Sequence, residues 1–147
     1  MAVIYLRSTD GDDADTGATW ALAKATCASA LTAAGAGGTV YMSDNHAEVA
    51  AGAITLVSPG TAASPTRVIC VDDTGNPEPP TAQASTGTIT GASNANITFS
   101  GYAVYYGVTF ALVGFGDCIF STGGAGIRLV DCVIKLGANS LSDIRTS

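Results

Sequence analysis

Acidic side chains can bind metal ions or transfer protons, and this sequence clusters several aspartates near its start. Four of them fall within six residues of the polar stretch 8–17: Asp10, Asp12, Asp13 and Asp15. Calcium takes several hard oxygen ligands, so this stretch is a candidate calcium site. The spacing does not match an EF-hand loop, and no Glu follows at its twelfth position. We therefore interpret the stretch as a solvated acidic turn and keep calcium as the alternative.

A second group of candidate catalytic residues lies near the carboxyl end. Asp117 and Asp131 each open a short hydrophobic string, and Arg128 and Lys135 flank Asp131 closely enough in sequence to line a groove with it. The two aspartates are 14 residues apart, less than one period of the repeat in this region. We therefore expect them on different faces, where each caps its own turn.

Other titratable residues carry weaker signals. Asp72 and Asp73 precede Thr-Gly, which is typical of a turn, and His46 has no Ser or Cys nucleophile arranged around it in a known motif. Nucleotide-binding glycine motifs are also missing from the sequence. These residues predict no particular reaction.

The four cysteines, Cys27, Cys70, Cys118 and Cys132, stand far apart and form no CxxC pair. Zinc sites usually draw their ligands from close pairs, and the chain has one histidine, so we do not expect structural zinc. Apolar neighbours surround each cysteine. We expect buried, reduced thiols without a disulfide, with Cys118 and Cys132 facing inward.

Composition argues against several classes of partner. The 147 residues include six Lys and Arg against twelve Asp and Glu, giving a net charge of −6 and a pI near 4.3. Phosphate binding needs clustered Lys and Arg, so nucleic acid is not an expected partner. No apolar run reaches the ~20 residues of a membrane span, and the first residues do not resemble a signal peptide. We expect neither a membrane-spanning nor a secreted protein.

The first predicted secondary-structure elements form an N-terminal unit, residues 1–38. Residues 2–7 predict a strand, and the apolar spacing over 19–34 predicts a helix that ends at Gly35. Thr19 is the expected N-cap and Thr16 its rival. We expect the helix to cover the end of the following domain by burying Trp20 and Leu31.

After residue 38 the pattern is that of strands. Residues 39–42, 54–57 and 67–71 are β-forming, and 72–86 is an irregular surface loop. Five further β-forming strings follow, at 87–90, 96–99, 107–110, 117–120 and 131–134. Every second string starts 20, 21 and 24 residues after its predecessor. Repetition at this interval predicts stacked coils.

We therefore predict a mainly β fold: a right-handed parallel β-helix over 39–147, of which two to three coils fit, with one N-terminal capping α-helix. Short strands at regular spacing also suit a β-sandwich, which remains the alternative. A solenoid of this kind needs a cap at each end, so its carboxyl end, unless the coils continue in a longer chain, should be covered by a partner.

Several strings carry a family resemblance: IYLRSTDG (4–11), DTGATW (15–20), GGTVYMS (37–43), NITF (96–99) and YGVTF (106–110). Together they resemble right-handed parallel β-helix proteins of the pectate-lyase-like superfamily, and more narrowly the β-helical virion proteins of tailed bacteriophages. The resemblance spans most of the chain.

The resemblance implies a structural virion protein, assembled in the host cytoplasm as a capsid decoration, head fibre or tail appendage. It implies a homotrimer that contacts other virion proteins. It also allows a tailspike that binds or depolymerises host surface polysaccharide, and, as a third reading, a secreted bacterial polysaccharide lyase. An enzyme of this kind would be a lyase, with an Arg or Lys base and calcium-holding carboxylates, or a glycoside hydrolase with paired carboxylates. Catalysis is not the favoured expectation, and no cofactor is expected apart from the alternative of calcium.

Overall fold

Parallel strand pairing dominates the computed structural model, which describes residues 1–121, 126–137 and 144–146. The predicted domain 39–147 therefore lies partly outside the described residues. The described strands are β1 (Val3–Leu6), β2 (Thr39–Ser43), β3 (Ala47–Val49), β4 (Ile54–Val57), β5 (Thr66–Val71), β6 (Thr88–Ser93), β7 (Ile97–Ser100), β8 (Tyr102–Tyr106), β9 (Thr109–Val113), β10 (Cys118–Phe120), β11 (Gly126–Val130), β12 (Val133–Lys135) and β13 (Ile144–Thr146).

Strands β1 and β2 both belong to the first of three sheets, and from β2 onward consecutive strands belong to the three sheets in turn. Sheet A has the spatial order β1-β2-β5-β8-β11, sheet B the order β3-β6-β9-β12 and sheet C the order β4-β7-β10-β13. From β2 onward, each strand pairs in parallel with the strand three places later in the chain. The mainly β class with parallel sheets is confirmed, and the described ladders include none of the antiparallel pairing of a β-sandwich.

The repeat interval read from the sequence corresponds to this pairing. Thr88 pairs with Thr109, and Thr109 pairs in turn with Val133; Ile97 pairs with Cys118. Alternate strings are therefore neighbours in one sheet, as predicted. The described strands β2–β13 form four successive sets of three, whereas the sequence pattern predicted two to three coils. Short strands such as β3 and β8 lie between the strings that the pattern detected.

Side chains from all three sheets meet in one buried cluster between them. Alternation along the strands directs every second side chain into this cluster. Leu56, Phe99 and Phe120 occupy equivalent positions on adjacent strands of sheet C, and the two phenylalanine rings stack at 4.9 Å. Phe99 also meets Phe110 of sheet B edge-on, with ring centroids 4.9 Å apart. Aromatic pairs of this geometry add to the stability that burial provides.

The helix is shorter than predicted. The prediction for 19–34 is wrong over its first half: a 3-10 turn covers Trp20–Leu22, and the helix α1 covers Cys27–Ala34. Between them Lys24 forms a parallel bridge with Leu6 of β1. The main chain of Lys24 donates to the Tyr5 carbonyl and accepts from the Arg7 N–H. These bonds hold the chain extended, and local helix propensity is too weak to compete with them.

The helix ends are set by different residues from those first expected. Thr26 is the N-cap, since its side chain accepts from the Ser29 N–H at 3.3 Å. Thr19 and Thr16, the expected caps, precede the 3-10 turn, and Thr19 makes no side-chain cap bond. The C-terminal boundary is confirmed: Gly35 has a φ of 68° and donates to the Leu31 carbonyl.

Helix α1 packs against strands β1, β2 and β4, at the end of the sheets where the chain starts. Its buried residues, Cys27, Ala30, Leu31 and Ala34, join the central cluster. The predicted burial of Leu31 is confirmed. None of the described helices is long and apolar enough to cross a membrane.

Trp20 is buried as predicted, but on the outer side of sheet A and not beneath the helix. Its ring meets Tyr5 edge-on at 4.8 Å, in a small cluster separate from the central one. The indole N–H donates to the Pro77 carbonyl at 3.1 Å, and the Trp20 backbone N–H donates to Glu78 at 2.7 Å. Trp20 therefore fastens the loop 72–86 to the N-terminal unit.

Candidate functional site

The predicted catalytic candidates lie on different elements. Asp117 leads into β10 of sheet C, and its Oδ2 forms an ion pair with Arg145 at 3.2 Å. Asp131 follows β11 of sheet A with a φ of 51°, the left-handed conformation of a tight corner. Arg128 belongs to β11 and Lys135 to β12 of sheet B. The topology therefore distributes these four residues over the three sheets.

The side chains of three aspartates of the acidic stretch accept hydrogen bonds from nearby groups. Asp10 forms a two-pronged contact with the Arg7 guanidinium. Asp13 accepts from the N–H groups of Ala25 and Thr26 and from the Thr26 hydroxyl. Asp12 accepts from the N–H two residues later, as in an Asx turn. Among the described residues, no three His, Cys, Asp or Glu side chains are grouped as metal ligands.

A carboxyl pair that the sequence did not reveal joins the ends of β2 and β5. The Asp44 carboxyl hydrogen-bonds to Asp73, and the Asn45 amide donates to both, at 3.0 and 3.5 Å. The Arg7 guanidinium donates to the other oxygen of Asp73 at 3.2 Å. Asp72, by contrast, caps a turn by accepting from the Thr74 N–H, as expected. The pair therefore fixes the start of the loop 72–86.

The pKa values of the two carboxyl groups shift in opposite directions. Partial burial and the neighbouring Asp73 raise the pKa of Asp44. Partial burial also works to raise the pKa of Asp73, but hydrogen bonds from Ser43, Asp44 and Arg7 outweigh it and lower this pKa.

His46 is buried directly before strand β3. Its Nε2 lies 3.3 Å from Glu48 of β3, and its Nδ1 has no hydrogen-bond partner. All four cysteines are free, as predicted, and Cys118 is fully buried while Cys132 is partly exposed. Burial raises the pKa of the Cys118 thiol to about 11, which makes it a poor nucleophile.

The outer face of sheet A contains a candidate site formed by described residues. We define this face by the outward side chains of its strands: Tyr41, Arg67, Ile69, Tyr102, Val104, Tyr106, Arg128 and Val130. Alternation places them opposite the buried Val40, Val68 and Tyr105. The face therefore combines tyrosine rings with two arginines.

A pocket of about 210 Å³ opens on this face. Tyr41, Ile69 and Val71 form its floor, and residues 80–83 form its wall. The wall is held in place because Gln83 forms an antiparallel bridge with Val71, flanked by a hydrogen bond from the Asp72 N–H to the Ala82 carbonyl. The loop 72–86 is thus folded back over the sheet.

The sequence did not reveal this site. Its floor belongs to strands whose outward residues look like ordinary β-formers, and its wall comes from the irregular loop. The available signal was the recurrence of tyrosine at alternate positions of YAVYY (102–106), which places two rings on one face.

Comparison of the chain with protein families, curated proteins and solved structures finds no match in any of the three.

Proposed function

We propose that this chain is a structural virion protein of a tailed phage, a stiff projection built as a right-handed parallel β-helix. Two observations support the architecture: the strict succession of strands through sheets A, B and C, and the helix that covers one end. The phage assignment is supported by the resemblance of the entry strings and coil strings to virion β-helix proteins. In this role the protein acts as a stiff projection that attaches to other virion proteins.

The observation that carries the proposal is the apolar character of the end opposite α1. The strands β11, β12 and β13 lie at the edges of the three sheets there. Among the described residues, five large apolar side chains in this region are each 44–50% exposed: Val113, Phe115, Val133, Leu136 and Ile144. Inward residues of the last coil, such as Leu129 and Ile134, are only partly buried. Apolar surface beside sheet edges favours association.

We propose that this end joins subunits into a trimer and attaches it to another virion protein. Light scattering on the purified chain tests the first part, with a trimer as the expected result. The variant Val133→Glu, at the β12 edge, should dissociate the trimer, because a buried unpaired charge opposes association. Val49→Glu, on the opposite edge strand of sheet B, is the matched control and should remain trimeric. A monomer with a sharp melting transition at micromolar concentration would contradict the proposal.

The pocket on the outer face of sheet A favours a second function, carbohydrate binding of the tailspike kind. Tyrosine rings offer an apolar face and a hydroxyl group, and a sugar ring has an apolar face and a polar rim. The same proposal includes depolymerisation of the bound polysaccharide by this protein. Incubation with a polysaccharide, read for reducing ends and for the ultraviolet absorbance of unsaturated products, distinguishes an enzyme from a binding protein.

A further inference from the structure

The loop 72–86 lies over the outer side of sheet A and is fastened there by few contacts. Its residues 80–83 form the wall of the pocket described above. Only one apolar side chain of the loop, that of Ala84, packs against the central cluster. Segments that bury little apolar surface open before the rest of a fold does. The contacts at the ends and in the middle of the loop therefore decide whether the pocket keeps its wall.

The middle of the loop is attached to Trp20. The indole N–H donates to the Pro77 carbonyl, and the backbone N–H donates to the Glu78 carboxyl. Glu78 also lies close to Tyr5, and burial together with this neighbouring charge raises the pKa of the Tyr5 hydroxyl. A carboxyl group accepts hydrogen bonds in either protonation state. The attachment at Trp20 therefore does not require Glu78 to be ionised.

The start of the loop is attached through two carboxyl groups whose contact depends on a proton. The Asn45 amide donates to Asp44 at 3.0 Å and to Asp73 at 3.5 Å, so both carboxyl groups lie beside it. Asp73 is 7% exposed, and Arg7 donates to its other oxygen at 3.2 Å. The same guanidinium also pairs with Asp10. Arg7 therefore compensates the charge of Asp73 but not that of Asp44.

The groups around Asp44 are acidic or neutral on the side of β5. Asp73 and Asp72 face it from the end of that strand, together with the thiol of Cys70. Partial burial and the two aspartates raise the pKa of Asp44, although the Asp73 backbone N–H donates to it and works in the other direction. When Asp44 loses its proton, repulsion between two carboxylates replaces the hydrogen bond between them.

Both ends of the loop meet at this carboxyl pair. The hydroxyl of Thr86 donates to the Asp44 carbonyl at 2.8 Å. The backbone N–H of Asp72 donates to the Ala82 carbonyl at 3.1 Å, which links the pocket wall directly to the start of the loop. A movement of the start of the loop therefore removes a hydrogen bond from the wall.

We propose that the loop 72–86 is a pH-sensitive cover of the pocket, closed by the proton that Asp44 shares with Asp73 and loosened when Asp44 ionises. In the closed form residues 80–83 complete the pocket. In the loosened form the carboxyl pair separates and the start of the loop leaves the sheet, while Trp20 still holds its middle. Because the closed form holds the proton more tightly, the cover is closed in mild acid and opens as the pH rises.

Hydrogen exchange of the intact chain, without any ligand, tests the proposal at about pH 4.5 and about pH 7.5, with rates corrected for the intrinsic effect of pH. The reporters are the N–H groups of Asp72, Asn76 and Ala84, which are bonded in the closed loop. We expect them to open about threefold to fivefold more at the higher pH, the size of effect that one partly exposed contact between charged groups produces.

The variant Asp44→Asn should abolish this pH response, because an amide donates to Asp73 at both pH values. Asp44→Ala has no donor, so its loop should be open at both pH values. Asp131→Asn is the matched control: it removes the same charge from the residue that follows β11 in sheet A, and it should respond as the wild type does. Glu78→Gln keeps an oxygen that accepts from the Trp20 N–H and should also respond as the wild type does.

Four results would overturn the proposal: equal opening of the wild type at both pH values, a pH response that persists in Asp44→Asn, or its loss in either Asp131→Asn or Glu78→Gln. Asp44→Ala tests the pair even where Asp44→Asn does not fold, and a loop of Asp44→Ala that closes in acid would overturn the proposal as well. The measurement involves neither a polysaccharide nor a virion partner, so its result is independent of the functions proposed above.

Discussion

The carboxylate of Glu48, on the inner side of strand β3, accepts a hydrogen bond from the backbone N–H of Cys27 at 2.9 Å. Cys27 is the first residue of helix α1, so a buried side chain of β3 anchors the N-terminal end of this helix. The negative charge also lies at the positive end of the helix dipole. Glu48 is therefore a positioning residue for the covering helix.

Replacing Glu48 with Ala should destabilise the fold by about 2–4 kcal/mol, because the buried Cys27 N–H and His46 both lose their partner. Urea unfolding measures the change. Asp15→Ala, in the acidic stretch, is the control and should change the free energy of unfolding by less than about 0.5 kcal/mol. Equal effects of the two substitutions would show that Glu48 does not anchor the helix.

The substitution Leu31→Ala should cost about 2–5 kcal/mol, since Leu31 is fully buried between α1 and the first strands. Thermal or urea unfolding provides the measurement, and Thr32→Ala, one position further along on the exposed side of the helix, is the control. A melting temperature unchanged by Leu31→Ala would contradict the covering role of the helix.

Trp20→Ala should loosen the loop 72–86 in addition to destabilising the fold by about 3–5 kcal/mol. The indole connects Tyr5 with the Pro77 carbonyl, so its loss frees the loop from the outer side of sheet A. Proteinase K digestion followed by mass spectrometry should show faster cleavage within 72–86. Leu31→Ala, of similar cost, should not direct cleavage to this loop; if it does, the effect reflects global stability.

Asp44, a member of the carboxyl pair, and Asp72, which lies outside it, should respond to pH in opposite directions when each is replaced by Asn. Because the pKa of Asp44 is raised in the folded protein, its contribution to stability is lost as the pH rises through that pKa. Asp44→Asn should therefore become more stable relative to the wild type as the pH rises above its ordinary value of 3.8.

Asp72 provides the contrast, because hydrogen bonds from Thr74 lower its pKa. Its contribution is present above the ordinary value and lost as the pH falls through the lowered one, so Asp72→Asn should become less stable relative to the wild type as the pH rises. Urea titrations between about pH 3 and pH 7 measure both differences. A fall in the relative stability of Asp44→Asn with rising pH would contradict the raised pKa of Asp44, and a rise in that of Asp72→Asn would contradict the lowered pKa of Asp72.

The thiols should react with alkylating reagents in the order of their exposure. Cys27, Cys70 and Cys118 are fully buried, and Cys132 is partly exposed with its thiol directed at the Tyr105 carbonyl. Intact-mass measurement under native conditions should show slow labelling at Cys132 alone, and four labels after denaturation. Rapid native labelling of Cys118 would place its side chain outside the coils.

The sequence alone determined the parts of this fold that depend on periodic, local information. The interval between the later strings identified which of their strands pair, such as β7 with β10 and β6 with β9. Gly35 ended the helix because a left-handed conformation favours glycine. These features follow from steric preferences of each residue and from repetition along the chain.

Other features of the fold depend on contacts between residues that are distant in the sequence, and only the folded structure establishes them. Lys24 is extended because β1 bonds to it across the chain, which overrides the helical spacing around it. Asp44 meets Asp73, and residues 80–83 meet Tyr41, because the stacking of β2 and β5 brings their ends together. Such contacts gain their energy from pairing distant segments, and no short stretch of sequence contains both partners. The candidate binding face is therefore a property of the stacked strands and could not be read from any one of them.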